Sequence, residues 1–297
     1  MERSVELSRF TNVSASEGAL LRHLTNQLTL AGFEPNIVLD CISVEVKGRN
    51  STSGIAVFAP LDVPGLIALC TENGIAHLEK TGEFNFQLKD GMRLLGEDGK
   101  GCKLRINKSD DSDLFIMKKH VQVGDVFRVD PELRSEDGML SGYYAANFAM
   151  IDLLSSLMDF VRSNGAGFDT HFYYTASFYS KAAREQNLIR RAPVEVALLI
   201  GAVESNERIP LVLVRDGAAF SDSEELDRLL QCAEKREIGI KKMVTEKAVT
   251  KAEKVQNTEG VKTISIALPY STEENGKASV CSEAVCALIR LLTEYLK

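Results

Sequence analysis

The middle of this chain changes texture, and that change limits what it can fold into. From Gly65 to Val129, short β-like pieces alternate with Gly, Asp and Lys turns: HLEKTGEFNF, GMRLLGEDGKGCKLRI, DLFIM and VQVGDVFRV. No amphipathic helix of useful length can be drawn there. Short strands between turn signals predict a small barrel or sandwich. On both sides helix and strand patterns alternate, which predicts an α/β sheet. The expected architecture is an α/β domain formed by residues 1–65 and 136–297, with a β-rich domain, residues 66–135, inserted in it. The 297 residues are enough for both.

Individual elements follow from periodicity. A helix is expected from Ser14 to Ala31, with Leu20, Leu21, Leu24 and Leu28 in one stripe and Ser14 with Glu17 as a capping box. Ile37 to Val46 alternates like one half-exposed strand, and Gly54 to Ala59 (GIAVFA) reads as a buried central strand. After Gly138, helices are expected at Tyr144–Val161, Ala182–Ile189, Ser223–Lys235 (capped by Ser221 or Ser223) and Ser282–Leu296. Strands are expected at His171–Ala176, Val194–Val203, Pro210–Val214 and Lys262–Leu268.

Charge narrows the function. Lys and Arg number 35 against 42 Asp and Glu, a net charge of −7, which argues against a nucleic-acid binder. The longest apolar runs are strand-sized, so no membrane span is expected, and the charged N-terminus suggests a cytoplasmic protein. Six scattered cysteines without a CxxC read as reduced, mostly buried structural thiols. Between Glu234 and Lys254, seven Lys or Arg face four Glu. This reads as a solvated surface, or alternatively as an anion or partner patch.

The order of the pieces resembles the tetrahedral, dinuclear-zinc aminopeptidases, the group that includes glutamyl aminopeptidases. The resemblance rests on the turn Ala59-Pro60-Leu61-Asp62 after GIAVFA, the turn Val123-Gly124-Asp125, the strands FYYT and ALLIG, and the segments VRDGAAF and GVKTISIALPY. It implies a mixed sheet with helices on both faces and an insert that mediates subunit contacts. It also implies two zinc ions held by two His, two Asp and one Glu, with a further Glu as base. Zinc takes such N and O donors at about 2.0–2.2 Å.

Carried over position by position, the resemblance implies a lost site. The first His falls on Pro60, leaving only Asp62 from that turn. The bridging Asp pair falls on Ala145 and Ala146 after Tyr144, and the Glu pair on Phe178 and Tyr179. The next Asp falls on Gly201 and the last His near Thr272. A Thr-Asp-Ala motif reads Thr250-Lys251-Ala252. These side chains are not zinc ligands, so no metal and no cofactor is expected. The four histidines, His23, His77, His120 and His171, show no metal spacing.

Tyr143, Tyr144, Tyr174, Tyr179 and Tyr270 fall in segments that would rim the old pocket. They either line a ligand site or fill the space the metals left. Asp62 either binds a ligand amine or holds a turn. The expectation is a catalytically degenerate aminopeptidase-like protein that binds or assembles. It would be a homo-oligomer, dimer or larger shell, through the inserted β domain, with a peptide or small molecule as possible ligand. The alternative is a peptide hydrolase with a rebuilt, metal-free site, for which Lys181 and Glu204 are distant partners of Asp62.

Overall fold

The computed structural model describes residues 1–297 except 15, 108–109, 119, 177–183 and 259, and omits the side chains of 52 and 110–112. Two helices, α1 (Glu2–Leu7) and α2 (Gly18–Leu30), precede strands β1 (Asn36–Val38), β2 (Cys41–Val46) and β3 (Gly48–Pro60). Six strands follow: β4 (Leu66–Glu72), β5 (Ile75–Lys80), β6 (Arg93–Gly96), β7 (Gly101–Asn107), β8 (Asp110–Met117) and β9 (Val126–Val129). Then come β10 (Arg134–Glu136), β11 (Met139–Gly142), α3 (Ala145–Asn164), β12 (Ala166–Thr175), α4 (Arg184–Ile189), β13 (Val194–Glu204), β14 (Leu211–Asp216) and β15 (Ala219–Phe220). The chain ends with α5 (Ser223–Lys235), β16 (Lys241–Thr245), α6 (Ala252–Gln256), β17 (Lys262–Thr272), β18 (Ala278–Cys281) and α7 (Ser282–Tyr295).

Strands β4 to β9 close into a barrel in the order β4-β5-β8-β7-β6-β9. The remaining twelve strands form one mixed sheet, ordered β1-β2-β12-β3-β13-β17-β18-β11-β10, with β14 pairing β17 and carrying β15 and β16. The fold is thus mixed α/β with an inserted β-barrel. At its centre, β12, β3, β13 and β17 run parallel. The continuous apolar run of β3 is explained by this place, since Ile55, Val57 and Ala59 are buried on one side and Ala56 and Phe58 on the other. Helix α3 is apolar nearly all round because it lies between the sheet and helices α1 and α7. Among the described residues, no helix is long and apolar enough to cross a membrane.

Several expectations are corrected. Ile37–Val46 is two strands, because Leu39 and Asp40 both adopt positive φ (54° and 58°) and make a two-residue hairpin turn. The usual Asn-Gly cue for such a turn is missing. Ser14 and Glu17 do not cap α2, which has no side-chain cap; the Ser14 hydroxyl donates to Asp62 instead. Helix α5 is capped by Asp222, whose Oδ1 accepts from the Glu225 N–H at 3.1 Å. Of the six cysteines only Cys41 is buried, and Cys70 and Cys286 are exposed. Burial pushes the Cys41 thiol up to about 12.

Barrel and sheet meet at a buried cation. Arg128 of β9 is fully buried; its Nη2 donates to the Ser8 carbonyl at 2.5 Å and its Nη1 to Asn12 Oδ1 at 3.5 Å. Desolvation pushes its guanidinium down to about 10. Asn12 in turn donates from Nδ2 to the Leu61 carbonyl at 2.9 Å and accepts from the Val63 N–H at 2.9 Å. The barrel is thereby tied to the turn that follows β3.

Helices α5 and α7 are clamped through Glu294, which is buried and accepts from Lys235 Nζ at 2.5 Å and Arg236 Nε at 2.8 Å. The Lys235 hydrogen bond, aided by Arg236, holds the carboxyl down at about 2 against an ordinary 4.5. With the folded value depressed, the clamp stabilises fully above the ordinary value and is lost as pH falls toward the folded one. Glu294→Gln is therefore expected to lower the urea midpoint at about pH 7 and to make little difference at about pH 2. Equal losses at both values would refute the clamp.

Candidate functional site

The parallel strands place their carboxyl ends together. Among the parallel strands, β3 is followed in the chain by β12, which lies on one side of it, and then by β13, which lies on the other. Such a reversal leaves a crevice outside the carboxyl ends of the two strands, where open α/β sheets bind ligands. A cleft of about 260 Å³ lies there. Its walls include Pro60 from the end of β3, Ala146, Asn147 and Met150 from the first turns of α3, Gly201 and Ala202 from β13, and Tyr270 from β17. Glu83, Phe84 and Asn85 roof one side and Ala248 and Val249 the other. Glu83 and Lys247, both exposed, face each other at 3.7 Å across the two roofing segments. A larger groove of about 680 Å³ runs under residues 82–90 beside the barrel and shares Glu83 and Phe84 with the cleft.

Pro60, Ala146 and Gly201 are thus brought to one cleft. Lys251 lies behind it. A space of about 10 Å³ is lined by Pro60, Thr175, Glu185, Thr250 and Lys251, so Pro60 borders both. That space is about the size of one water molecule and admits no substrate. Burial pushes the Glu185 carboxyl up and the Lys251 ammonium down; each group's charge opposes the other's shift, and Asp62 also favours the charged lysine. Asp62 is fully buried, accepts from Ser14 Oγ, and its carbonyl accepts from Asn147 Nδ2 at 3.3 Å. It is therefore tied into the turn rather than open to a ligand amine.

The other expected positions do not line the cleft. Ala145 is fully buried in the first turn of α3. Tyr144 precedes it at φ 63°, a left-handed conformation that costs a non-glycine residue about 1 kcal/mol. Its hydroxyl accepts from the Val129 N–H at 3.2 Å and its ring packs at 5.4 Å from Phe86, so it joins α3 to the barrel. Thr272 ends β17 two residues beyond Tyr270, with its hydroxyl buried and without a hydrogen-bond partner among the described residues. Phe178 and Tyr179 lie outside the described residues, as does Lys181.

The tyrosines split accordingly. Tyr174 is in the core with its hydroxyl on Ser155, and Tyr143 packs against Phe86 with the rings tilted and their centroids 4.7 Å apart. Only Tyr270, among the described tyrosines, lines the cleft. Burial raises its phenol, and a hydrogen bond from the Asn85 side chain partly offsets the rise.

Sequence reasoning missed the residue that shapes the cleft. Asp216, the Asp of VRDGAAF, is buried; its Oδ1 accepts from the Val249 N–H at 2.5 Å, and its Oδ2 from the Thr250 N–H at 3.1 Å and Thr250 Oγ1 at 2.5 Å. This pins residues 249–250 over Gly201. A Cβ at position 201 would stand 2.6 Å from Val249 Cγ1 and 3.0 Å from the Val249 carbonyl oxygen. An Asp–Gly pair before a strand gave the sequence no sign of a contact 33 residues away.

The zinc pair implied by the resemblance does not fit this cleft. Its one carboxylate is Glu83, already paired with Lys247 at the rim. Among the described residues, no three His, Cys, Asp or Glu side chains gather to hold a metal ion. The sequence of residues 177–183, SFYSKAA, contains none of these types.

No protein-family model matches the chain. No curated protein sequence matches it either. Solved structures do. A TET aminopeptidase from a marine sediment Thaumarchaeota archaeon is 14% identical with a TM-score of 0.89, covering 99% of this chain and 96% of that one. The TET1 peptidase of Pyrococcus horikoshii, which can assemble into a tetrahedron or a large octahedral shell, is 15% identical with a TM-score of 0.87 over 99% and 98%. A Thermotoga maritima protein described as an endoglucanase is 15% identical with a TM-score of 0.81 over 98% and 96%. At such identities the likeness extends to the fold, and this chain has the fold of the TET aminopeptidases.

Proposed function

We propose that this chain is a catalytically degenerate aminopeptidase-like protein that works by binding or assembly and has no peptidase activity. The observation that carries the reading is the cleft itself. Where the resemblance calls for metal ligands stand Pro60, Ala146 and Gly201, and the pinned residues 249–250 occupy the space a side chain at 201 would need. Without a metal, nothing in the cleft is positioned to activate water, because its polar groups are carboxamides, a phenol and one paired carboxylate. The Lys251–Glu185 pair does not supply a rebuilt hydrolase, since it opens onto too small a space. Asn85, Asn147 and Tyr270 beside Phe84 and Met150 suit a small neutral or peptide-like ligand. Hydrolysis of aminoacyl p-nitroanilides, with and without added zinc or cobalt, tests this. The expected rate equals the uncatalysed one, and chelator-sensitive turnover would refute the reading.

The chain is further proposed to be a homo-oligomer, cytoplasmic, with contacts through the barrel. Three exposed apolar side chains of the inserted β unit support this: Leu69, Met117 and Val123, which are 52%, 71% and 66% exposed. Met117→Lys is expected to dissociate the assembly without unfolding it, because Met117 is already in water. Light scattering would read the change, and a wild-type protein already monomeric at about 33 kDa would end the idea.

A further inference from the structure

At the amino ends of the parallel strands, opposite the cleft, lies a groove of about 530 Å³ lined by Arg49, Arg228, Gln231, Lys235, Tyr295 and Lys297, with Cys232 and Glu294 at its base. Four cations line it: Arg49, Arg228, Lys235 and Lys297. One carboxylate lines it, Glu294, and a second, Glu225, is bonded to its lining residues Arg228 and Tyr295. Glu294 is already held by Lys235, Arg236 and, at 3.5 Å, Lys297. Glu225 accepts from Tyr295 Oη at 2.5 Å and Arg228 Nη1 at 3.4 Å, with Lys262 at 3.6 Å. The lining side chains, four cations and one carboxylate that they already hold, leave the groove positive on a chain whose net charge is −7.

The groove is also partly pre-organised. Arg228 donates from Nη2 to the Tyr295 carbonyl at 3.0 Å and lies over the rings of Tyr295 at 4.4 Å and Phe168 at 5.4 Å. A guanidinium held flat in this way recognises an oxyanion with little ordering cost. Arg49 is exposed, and its Nη2 donates to the main-chain oxygen of Lys297 at 3.1 Å. It retains further N–H donors for an incoming group.

We propose that this groove binds a small polyanion of the phosphate-ester or polyphosphate class, with Arg49 and Lys235 closing on it from the walls and Arg228 beneath. The site is independent of the cleft and of what the cleft binds. Calorimetric titration of the full chain with inorganic tripolyphosphate in low salt is expected to show saturable binding that weakens as salt rises. Arg49→Ala and Lys235→Ala should each weaken it roughly tenfold, the scale of one lost charge-assisted hydrogen bond. Arg49 is exposed and outside the Glu294 clamp; Lys235 belongs to that clamp, so a urea midpoint measured on Lys235→Ala separates weakened binding from lost folding. Lys247→Ala, an exposed lysine by the cleft, should leave binding unchanged. Co-sedimentation with vesicles carrying phosphoinositides would assign the anion to a headgroup, and its absence alongside tripolyphosphate binding to a soluble ligand. No saturable binding up to about 1 mM, or equal weakening by Lys247→Ala, would overturn the proposal.

Discussion

Asp216→Ala is expected to destabilise the fold by about 3 kcal/mol, because it strips the partner from one buried and one half-buried backbone N–H group, at roughly 1–3 kcal/mol for a buried group left unsatisfied. Those groups belong to Val249 and Thr250. Thr250 Oγ1 keeps Ser265 as a partner at 3.1 Å, so the hydroxyl adds less. Asp216→Asn retains one acceptor oxygen and should lose about half as much. The effect also has a place: residues 249–250 would leave Gly201, and hydrogen exchange of the Val249 and Thr250 amides would rise ahead of the rest of the sheet. Urea titration reads the first quantity. A loss within about 0.5 kcal/mol of wild type would show that Asp216 does not shape the cleft.

Gly201→Asp should be costly for the complementary reason. It would restore a carboxylate of the type the resemblance implies, yet its Cβ would meet the Val249 side chain at 2.6 Å and the Val249 carbonyl oxygen at 3.0 Å. A methyl can move, but a carbonyl pinned through Asp216 cannot move far. Overpacking costs about 1–3 kcal/mol, and a carboxylate facing that carbonyl adds a desolvation penalty. The combined loss should be about 3 kcal/mol or more, with Gly201→Ala isolating the steric part. Added zinc should return none of it. A stable Gly201→Asp protein that takes up metal would mean that the closure over Gly201 is incidental.

The architecture was legible where periodicity is local. The turn-rich stretch from Gly65 to Val129 is the barrel, and the run GIAVFA is central because only a strand buried on both faces reads as continuously apolar. What failed was local pattern overruled by distant partners. Ser14 and Glu17 have the spacing of a capping box, but Asp62, 48 residues away and fully buried, takes the Ser14 hydroxyl. Leu39–Asp40 turns the chain with neither residue being glycine or asparagine. Nearness to the motif segments does not bring the tyrosines together: strand alternation sends Tyr174 into the core with Ser155, while Tyr270 reaches the cleft. The residues roofing the cleft, Glu83, Phe84 and Asn85, come from the connection inside the barrel insert, which no α/β pattern could assign to the strand ends.

Metal content after exchange is the most direct test of whether the cleft holds a metal. The protein would be purified without chelator, dialysed against excess zinc or cobalt, freed of unbound metal and analysed for metal per chain. The expected result is well under about 0.1 equivalents, since one paired carboxylate and no histidine offer too few donors for the tetrahedral site zinc prefers. Two equivalents per chain, removed by chelator, would contradict the account of the cleft.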